Sequence, residues 1–267
     1  MTKKPLVSAV DGLPIRPTPN TSGAWIDRKH FYLRRYMEIF TKGMSKKWSM
    51  TYIDLFAGPG RCLIESLGIE KDGSPLISLE YGFSKYVFVE KNPEDMEALK
   101  KRCQNSPKHS NIEFILGDCN EVVSRIRPTD LSLAFIDPTG IDVHFETMRS
   151  LTANRKVDIL MNIQLGMDIK RNFARYKKEG DDSDLGLFLG GNVPWDKIGT
   201  ARDAVNLYKQ RIKGLGYGTV EFKDVTVRNV KRNVPMYFLF FASKHPRGLD
   251  FWKKITTKDE SGQLEWI

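Results

Sequence analysis

The strongest constraint on the fold is a regular alternation of apolar runs and helical segments between residues 51 and 176. Five runs are nearly continuous in apolar residues, and each is followed by a segment with helical spacing or a helix-start signal. Strands that are apolar on both faces are typical of a parallel sheet, because right-handed crossovers cover both faces with helices. The predicted strands are the run that ends at Asp54 and residues 86–90, 112–116, 131–136 and 157–163.

The pattern changes after the fifth strand. A helix is predicted over residues 200–214, and two long strands follow over residues 219–228 and 236–243. The polar turn between them, residues 229–233, is too short for a parallel crossover, so these strands are predicted to pair antiparallel. The predicted fold class is α/β: a seven-stranded, mostly parallel sheet with a C-terminal antiparallel hairpin and helices on both faces. This Rossmann-like arrangement resembles that of class I S-adenosylmethionine-dependent methyltransferases.

The sequence outside this alternation predicts other kinds of structure. Residues 1–24 carry several prolines and little periodicity, so they are interpreted as a flexible N-terminal arm, and residues 25–267 as a single methyltransferase-like domain. Residues 29–42 repeat apolar side chains at helical spacing, which predicts an amphipathic helix in which His30 is a packing residue. Residues 179–191 are acidic and contain glycine, and they are interpreted as an irregular loop or small lid.

Composition narrows the classes of partner and compartment. The formal net charge is +9 and the sequence pI is about 9.3, which favours a polyanion such as nucleic acid, although a basic balance also serves solubility alone. The three cysteines form no disulfide framework and the four histidines show no paired spacing, so a reducing compartment and no metal site are predicted. No apolar run approaches the ~18 residues that span a bilayer. With no secretory signal visible, the predicted location is cytoplasmic, without membrane contact.

Acidic residues recur where the predicted parallel strands end. They stand at or just beyond the carboxyl ends of four strands in a row: Asp54, Glu90, Asp118 and Asp137. In an open α/β sheet the ligand binds outside these strand ends. Asp54 is followed by a turn with glycines at Gly58 and Gly60, where backbone without Cβ atoms can approach a ligand closely. Helix capping is the alternative explanation for Asp118 and Asp137.

These residues resemble the cofactor motifs of S-adenosylmethionine-dependent methyltransferases one by one. In that resemblance Asp54 answers the ammonium group of the methionine moiety, Glu90 accepts hydrogen bonds from the ribose hydroxyls, and Asp118 takes the adenine amino group. The cofactor-binding residues that it implies are Asp54, Phe56, Ala57, Gly58, Gly60, Glu90, Lys91, Asp118 and Cys119. A dinucleotide-binding protein is the alternative, but it would carry a third glycine where Leu63 stands.

The candidate catalytic loop is Asp137-Pro138-Thr139-Gly140, which follows the fourth predicted strand. It resembles the Asp/Asn-Pro-Pro-Tyr/Phe turn of amino-methyltransferases that act on nucleic acids. In that turn the side chain accepts hydrogen bonds from an exocyclic amine, and the aromatic ring stacks on the base. Thr139 replaces the second proline and Gly140 replaces the aromatic residue, so the acceptor is kept and the ring is missing. Residues that could supply a ring from elsewhere are Tyr32, Phe56 and Phe145.

A closer resemblance covers residues 28–255. The motifs that carry it are Asp54-Leu55-Phe56-Ala57-Gly58-Pro59-Gly60, Gly73-Ser74-Pro75-Leu76, Glu90-Lys91, Phe135-Ile136-Asp137-Pro138-x-Gly140, Asn162 and Arg171-Asn172. They resemble the three-Cys-motif partner protein (TcmP) family, which is itself similar to methyltransferases. The resemblance implies a companion protein with a three-cysteine motif in addition to the cofactor, and it leaves the substrate open.

Two functions of different classes therefore stand side by side. The first is an S-adenosylmethionine-dependent methyltransferase that acts on an exocyclic amine of DNA or RNA, with Asp137 as the acceptor. The second is an accessory protein that keeps the fold and binds nucleic acid or a companion; a nucleotide-dependent oxidoreductase is a weaker third. Two basic sets are either phosphate clamps or solvated surface. They are Lys170, Arg171, Arg175, Lys177 and Lys178, and then Arg228, Lys231 and Arg232.

Overall fold

The computed structural model describes residues 6–18, 23–65, 67–163, 169–225 and 237–257. The described helices and strands follow one another in chain order. They are β1 (Arg16–Thr18), α1 (Gly23–Met44), β2 (Met50–Asp54), β3 (Arg61–Ile64), β4 (Ile69–Asp72), α2 (Ser74–Ser78), β5 (Lys85–Glu90), α3 (Pro93–Cys103), β6 (Ile112–Leu116), α4 (Cys119–Val122), β7 (Leu131–Ile136), α5 (Phe145–Thr152), β8 (Val157–Ile163), α6 (Lys170–Glu179), α7 (Asp184–Leu189), α8 (Ala201–Gly214), β9 (Thr219–Val225), β10 (Tyr237–Ser243) and α9 (Pro246–Thr256).

The main sheet has seven strands in the order β6-β5-β2-β7-β8-β10-β9. Strand β5 pairs in parallel with both β2 and β6, whereas β10 pairs antiparallel with both β8 and β9. The predicted fold class, with its C-terminal antiparallel hairpin, is confirmed. The turn of that hairpin, and with it Arg228, Lys231 and Arg232, lies outside the described residues. No described helix is long and apolar enough to cross a membrane.

The chain divides into two compact units. The first comprises residues 1–122 and 127–132, and the second comprises residues 123–126 and 133–267. In the first unit every residue of β2 is buried, as expected for a parallel strand covered on both faces. Helix α1 buries Leu33, Tyr36 and Phe40, which recur at helical spacing, and it extends beyond the predicted residues 29–42 at both ends.

A small second sheet in the first unit was not predicted. It has the order β1-β3-β4; β1 lies within the residues interpreted as the N-terminal arm, and β3 and β4 lie between the glycine turn and Gly73. Strand β1 pairs in parallel with β3, so Arg16 lies opposite Cys62, and β3 pairs antiparallel with β4. These strands are only three or four residues long, and most of their residues are half-exposed or exposed, so neither length nor apolar alternation distinguishes them from loops.

The second unit is centred on β8, all of whose residues are buried, and on β10 beside it. The ring of Tyr208 stacks on Phe188 at a centroid distance of 4.2 Å and meets the edge of Phe240 at 5.5 Å. Residues 179–191 are not simply irregular, because α7 forms there between an N-cap at Ser183 and a left-handed C-cap at Gly190. The short length of α7 explains why the glycines on either side of it suggested a loop.

Candidate cofactor site

The turn after β2 is organised by the carboxylate of Asp54. This side chain is fully buried; its Oδ1 accepts a hydrogen bond from the Phe56 amide at 3.2 Å, and its Oδ2 accepts one from the Tyr52 hydroxyl at 3.2 Å. A buried carboxylate needs such partners. Tyr52 was not among the predicted site residues. The signal for it is its position two residues before Asp54, which places both side chains on one face of the strand.

The two glycines in this turn, Gly58 and Gly60, both have positive φ but differ in their surroundings. Gly58 has a φ of +62°, and a Cβ atom added there would meet nothing within 4 Å. Gly60 has a φ of +89°, and its Cβ atom would lie 2.9 Å from Leu99 Cδ1 of α3. Gly60 therefore lies in close contact with α3 in addition to having positive φ, whereas Gly58 presents bare backbone to open space. An open face of this kind is what a ligand that approaches the backbone needs.

Glu90, at the end of β5, connects two segments of backbone. Its Oε2 accepts a hydrogen bond from the Gly58 amide at 2.8 Å, and its Oε1 accepts one from the Asn92 amide at 2.8 Å. The Asn92 side chain in turn caps α3 by accepting hydrogen bonds from the Glu94 and Asp95 amides. A carboxylate has about four acceptor positions, so these two amides leave room for two further donors. Glu90 thus has the capacity to accept two hydroxyl groups while it holds the glycine turn.

Asp118 and Cys119 start α4 beside Glu90. The Gly117 amide donates to the Glu90 carbonyl at 3.0 Å, and Asp118 Oδ1 accepts a hydrogen bond from the Asn120 amide at 2.9 Å. Asp118 therefore does act as a helix cap, the structural alternative considered for it, and its Oδ2 has no hydrogen bond to a described residue. Cys119 is buried.

The first unit thus brings together most of the predicted cofactor residues. Hydrogen bonds connect the turn that holds Asp54 and Gly58 to Glu90, and Glu90 to the segment that begins at Gly117. Ala57 is buried with its amide on the Val89 carbonyl, Phe56 is half-buried, and Lys91 is exposed. Carboxylates and a bare glycine turn at the carboxyl ends of parallel strands suit a nucleoside with an attached cation.

Asp137 lies in the second unit, at the end of β7. Its Oδ1 accepts a hydrogen bond from the side-chain amide of Asn162 at 2.8 Å, which keeps that carboxylate oxygen oriented. Asn162 is 2% exposed, and its own Oδ1 has no hydrogen-bond partner among the described residues, which omit 164–168. Pro138 is buried, Thr139 is exposed and Gly140 is half-buried.

The structure excludes two of the three rings that were suggested as replacements for the missing aromatic residue. Tyr32 is 1% exposed, with its ring against the edge of Phe31. Phe145 is also buried and packs edge-on to Tyr208 at 6.0 Å and against the backbone of Gly190. Both rings are core residues and cannot stack on a base without leaving it. Of the three candidates, only Phe56 is partly accessible.

The basic residues of α6 are exposed, and one of them, Arg175, lies close to acidic and aromatic side chains. Arg175 lies 3.6 Å from the Glu179 carboxylate and 3.7 Å from that of Asp184, with its guanidinium 4.7 Å from the Tyr176 ring centre. Exposed ion pairs of this kind contribute little to stability. Lys170, Arg171 and Lys178 have no hydrogen bond or ion pair to a described residue, so the phosphate clamp and the solvated face remain alternatives for them.

Comparison with known proteins gives structural similarity only. No protein-family model and no curated protein sequence matches the chain, so the resemblance to the TcmP family is not confirmed. A protein from Legionella pneumophila str. Philadelphia 1, with the family model DUF519, is 11% identical with a TM-score of 0.55, over 90% of this chain and 94% of its own. This similarity supports the fold.

Two further solved structures are similar at lower scores. Spermidine synthase in complex with the transition-state analogue AdoDATO is 13% identical with a TM-score of 0.48, over 96% of this chain and 71% of its own. The O-methyltransferase TomG from Streptomyces achromogenes, in complex with S-adenosylmethionine, is 10% identical with a TM-score of 0.48, over 85% of this chain and 83% of its own. We draw no argument about activity from identities this low.

Proposed function

We propose that this protein is an S-adenosylmethionine-dependent methyltransferase that acts on an exocyclic amine of a nucleic-acid base. The observation that carries the proposal is the hydrogen bond from the Gly58 amide to Glu90 Oε2 at 2.8 Å. It fixes a glycine turn with an open face next to a carboxylate that still has free acceptor positions. These are the groups that a nucleoside bearing an amino-acid chain requires.

The residues of the first unit fit this cofactor. Glu90 has acceptor capacity for the two ribose hydroxyls, and the open side of Gly58 gives space for the cofactor against the backbone. Asp118 has a carboxylate oxygen without a described partner for the adenine amino group. Asp54 supplies negative charge at the turn while it also accepts hydrogen bonds from Tyr52 and Phe56. When bound, S-adenosylmethionine supplies an electrophilic methyl group on a sulfonium, and its transfer to nitrogen breaks the S–C bond and leaves a neutral thioether.

In the second unit, Asp137 is the proposed acceptor for the target amine. Its carboxylate takes a hydrogen bond from one N–H of that amine, which orients the nitrogen lone pair and draws electron density toward it. After the N–C bond has formed, the nitrogen releases its proton to Asp137 and then to water. The hydrogen bond from Asn162 to Oδ1 holds the Asp137 carboxylate in one orientation for this contact.

Nucleic acid is the proposed substrate because of the charge of the chain and the nature of the target group. A net charge of +9 favours a polyanion, and the exposed cations of α6 provide phosphate contacts. A companion protein with a three-cysteine motif is part of the proposal only through the sequence resemblance.

The test measures cofactor binding and transfer separately. Calorimetric titration with S-adenosylmethionine establishes binding, and nucleoside mass spectrometry after incubation with RNA or DNA identifies any methylated base. Asp137→Ala should abolish transfer and leave the cofactor affinity unchanged. Asp130→Ala is the matched control, because that exposed aspartate immediately precedes β7 and Asp137 immediately follows it. Full transfer by Asp137→Ala would refute the assignment of the acceptor.

The accessory-protein alternative has one observation in its favour. The loop lacks an aromatic residue at Gly140, and two of the three rings suggested as substitutes are buried in the core. Under this alternative the protein would bind nucleic acid, as measured by fluorescence anisotropy, without binding S-adenosylmethionine. That combination would reject the methyltransferase proposal.

A further inference from the structure

A buried arginine on α3, Arg102, binds the backbone of the proposed cofactor turn at residues 58–60. The Arg102 side chain is 4% exposed, although it follows two lysines at the polar end of the helix. Its Nη1 donates to the Pro59 carbonyl at 2.6 Å, and Pro59 lies between the two glycines of the turn. The Cδ atom of Arg102 would also lie 3.5 Å from a Cβ atom at Gly60. Arg102 thus contacts the backbone of the turn directly.

The remaining donors of Arg102 bind residues 11–14. Nε and Nη2 donate to the two carboxylate oxygens of Asp11, at 2.8 Å each, in a bidentate pair. Nη1 also donates to the Pro14 carbonyl at 2.8 Å, and Nη2 makes a longer contact to the Leu13 carbonyl at 3.4 Å. The five N–H groups of the guanidinium therefore all have acceptors. The side-chain hydrogen bond from Arg102 lowers the pKa of Asp11 to about 2, so the pair is charged at neutral pH.

The same N-terminal segment is attached at two further points. Arg16 forms an ion pair with Asp95, a buried residue in the first turn of α3, close in sequence to Glu90. Ser8 Oγ donates to Glu70 Oε2 at 2.5 Å, and Glu70 belongs to the small sheet that follows the glycine turn. Residues 6–18 are therefore bound both to the helix that packs on the turn and to the strands that leave it.

We propose that Arg102 is a positioning residue for the cofactor turn, and that residues 8–16 form part of the frame of the site rather than a flexible arm. Arg102 binds both the Pro59 carbonyl and residues 11–14, and so holds the turn in place beside α3. The Gly58 amide then stays hydrogen-bonded to Glu90, and the surface that the cofactor meets is formed before the cofactor binds. The part of this inference that concerns cofactor affinity rests on the proposed function. The part that concerns the order of the turn does not.

The first measurement needs no ligand. Hydrogen–deuterium exchange of the Gly58 and Gly60 amides is compared between the wild type and Arg102→Lys, which keeps the charge and loses the planar five-donor group. We expect exchange at the turn to be faster by roughly tenfold or more, the effect of losing hydrogen bonds made by a charged group. The matched control is Arg211→Lys, because Arg211 likewise joins a helix to three backbone carbonyls, those of Leu189, Gly191 and Asn192. Turn exchange in Arg211→Lys should equal that of the wild type.

The second measurement is titration with S-adenosylmethionine. Arg102→Lys should weaken binding by about tenfold while Arg211→Lys leaves it unchanged. If Arg102→Lys does not fold, Asp11→Asn serves instead, since it removes the charge of the partner and one of its two acceptor oxygens and should move both readouts in the same direction. Unchanged exchange at the turn in the folded variant would overturn the positioning role. A wild type that binds no cofactor, with faster exchange in the variant, would reject the proposed function and leave the positioning role standing.

Discussion

Gly58 offers a direct test of the proposed cofactor site, because Gly68 has nearly the same backbone conformation and lies outside that site. Gly58 has a φ of +62° and Gly68, at the turn between β3 and β4, has a φ of +63°. At both positions an added Cβ atom would meet nothing within 4 Å. An alanine in the left-handed region costs about 1–2 kcal/mol, offset by about 0.4–1 kcal/mol from the lower entropy of the unfolded chain. We therefore expect Gly58→Ala and Gly68→Ala to lose the same ~0–1.5 kcal/mol of unfolding free energy.

The two variants should differ in cofactor binding. If the cofactor lies against Gly58, the added methyl group occupies its space, and a steric cost of ~1–3 kcal/mol weakens binding by about 5- to 150-fold. Gly68→Ala should bind S-adenosylmethionine as the wild type does. Urea denaturation followed by circular dichroism gives the stabilities, and calorimetric titration gives the affinities. Equal affinities of Gly58→Ala and the wild type would refute the assignment of this open face to the cofactor.

Three further predictions concern single side chains. Gly60→Ala should cost about 2–4 kcal/mol of unfolding free energy in urea, because it adds a contact of 2.9 Å with Leu99 to the cost of positive φ; a loss no larger than that of Gly68→Ala would contradict this. Burial lowers the pKa of His30, so the unfolded chain binds a proton more readily, and stability should fall by up to about 1.4 kcal/mol per pH unit below pH 6.5. His30→Gln should abolish that dependence, and a wild-type stability equal at pH 7.5 and 5.5 would exclude it. Asn162→Leu removes the donor to Asp137 and should reduce methyl transfer by about tenfold without changing cofactor affinity, measured with radiolabelled cofactor; unchanged transfer would show that Asp137 needs no such orientation.

The main sheet was predictable because strands that are buried on both faces appear in the sequence as continuous apolar runs. Strands β5 and β8 are apolar runs whose length and neighbours identify them without knowledge of their pairing. The small sheet has no such signal in its sequence. Strand β1 is a strand because Arg16 pairs with Cys62, which lies in a distant part of the chain. The strands of this sheet are only three or four residues long, which is too short for an apolar alternation to identify them.

Some contacts of the candidate site could likewise be predicted from the sequence, and others could not. The connection between the Gly58 turn and Glu90 could be anticipated, because both follow from strand ends in a parallel sheet. Arg102 could not, because the run Lys100-Lys101-Arg102 looks like solvated helix surface, and its partner Asp11 is 91 residues away. The hydrogen bond from Asn162 to Asp137 was not predicted, because Asn162 entered only as one residue of a motif resemblance and helix capping was a local explanation for that aspartate.

The long separation between Asp11 and Arg102 has a consequence for the nascent chain. Synthesis adds residues at about 5–20 per second, so Asp11 precedes its partner by 91 residues and by roughly 5 to 20 seconds. During that interval the N-terminal segment has neither its arginine nor α3 to bind, and the glycine turn has no clamp on Pro59. The contacts that hold the turn can therefore form only after translation has passed α3, because the Arg102 side chain binds both the turn and residues 11–14.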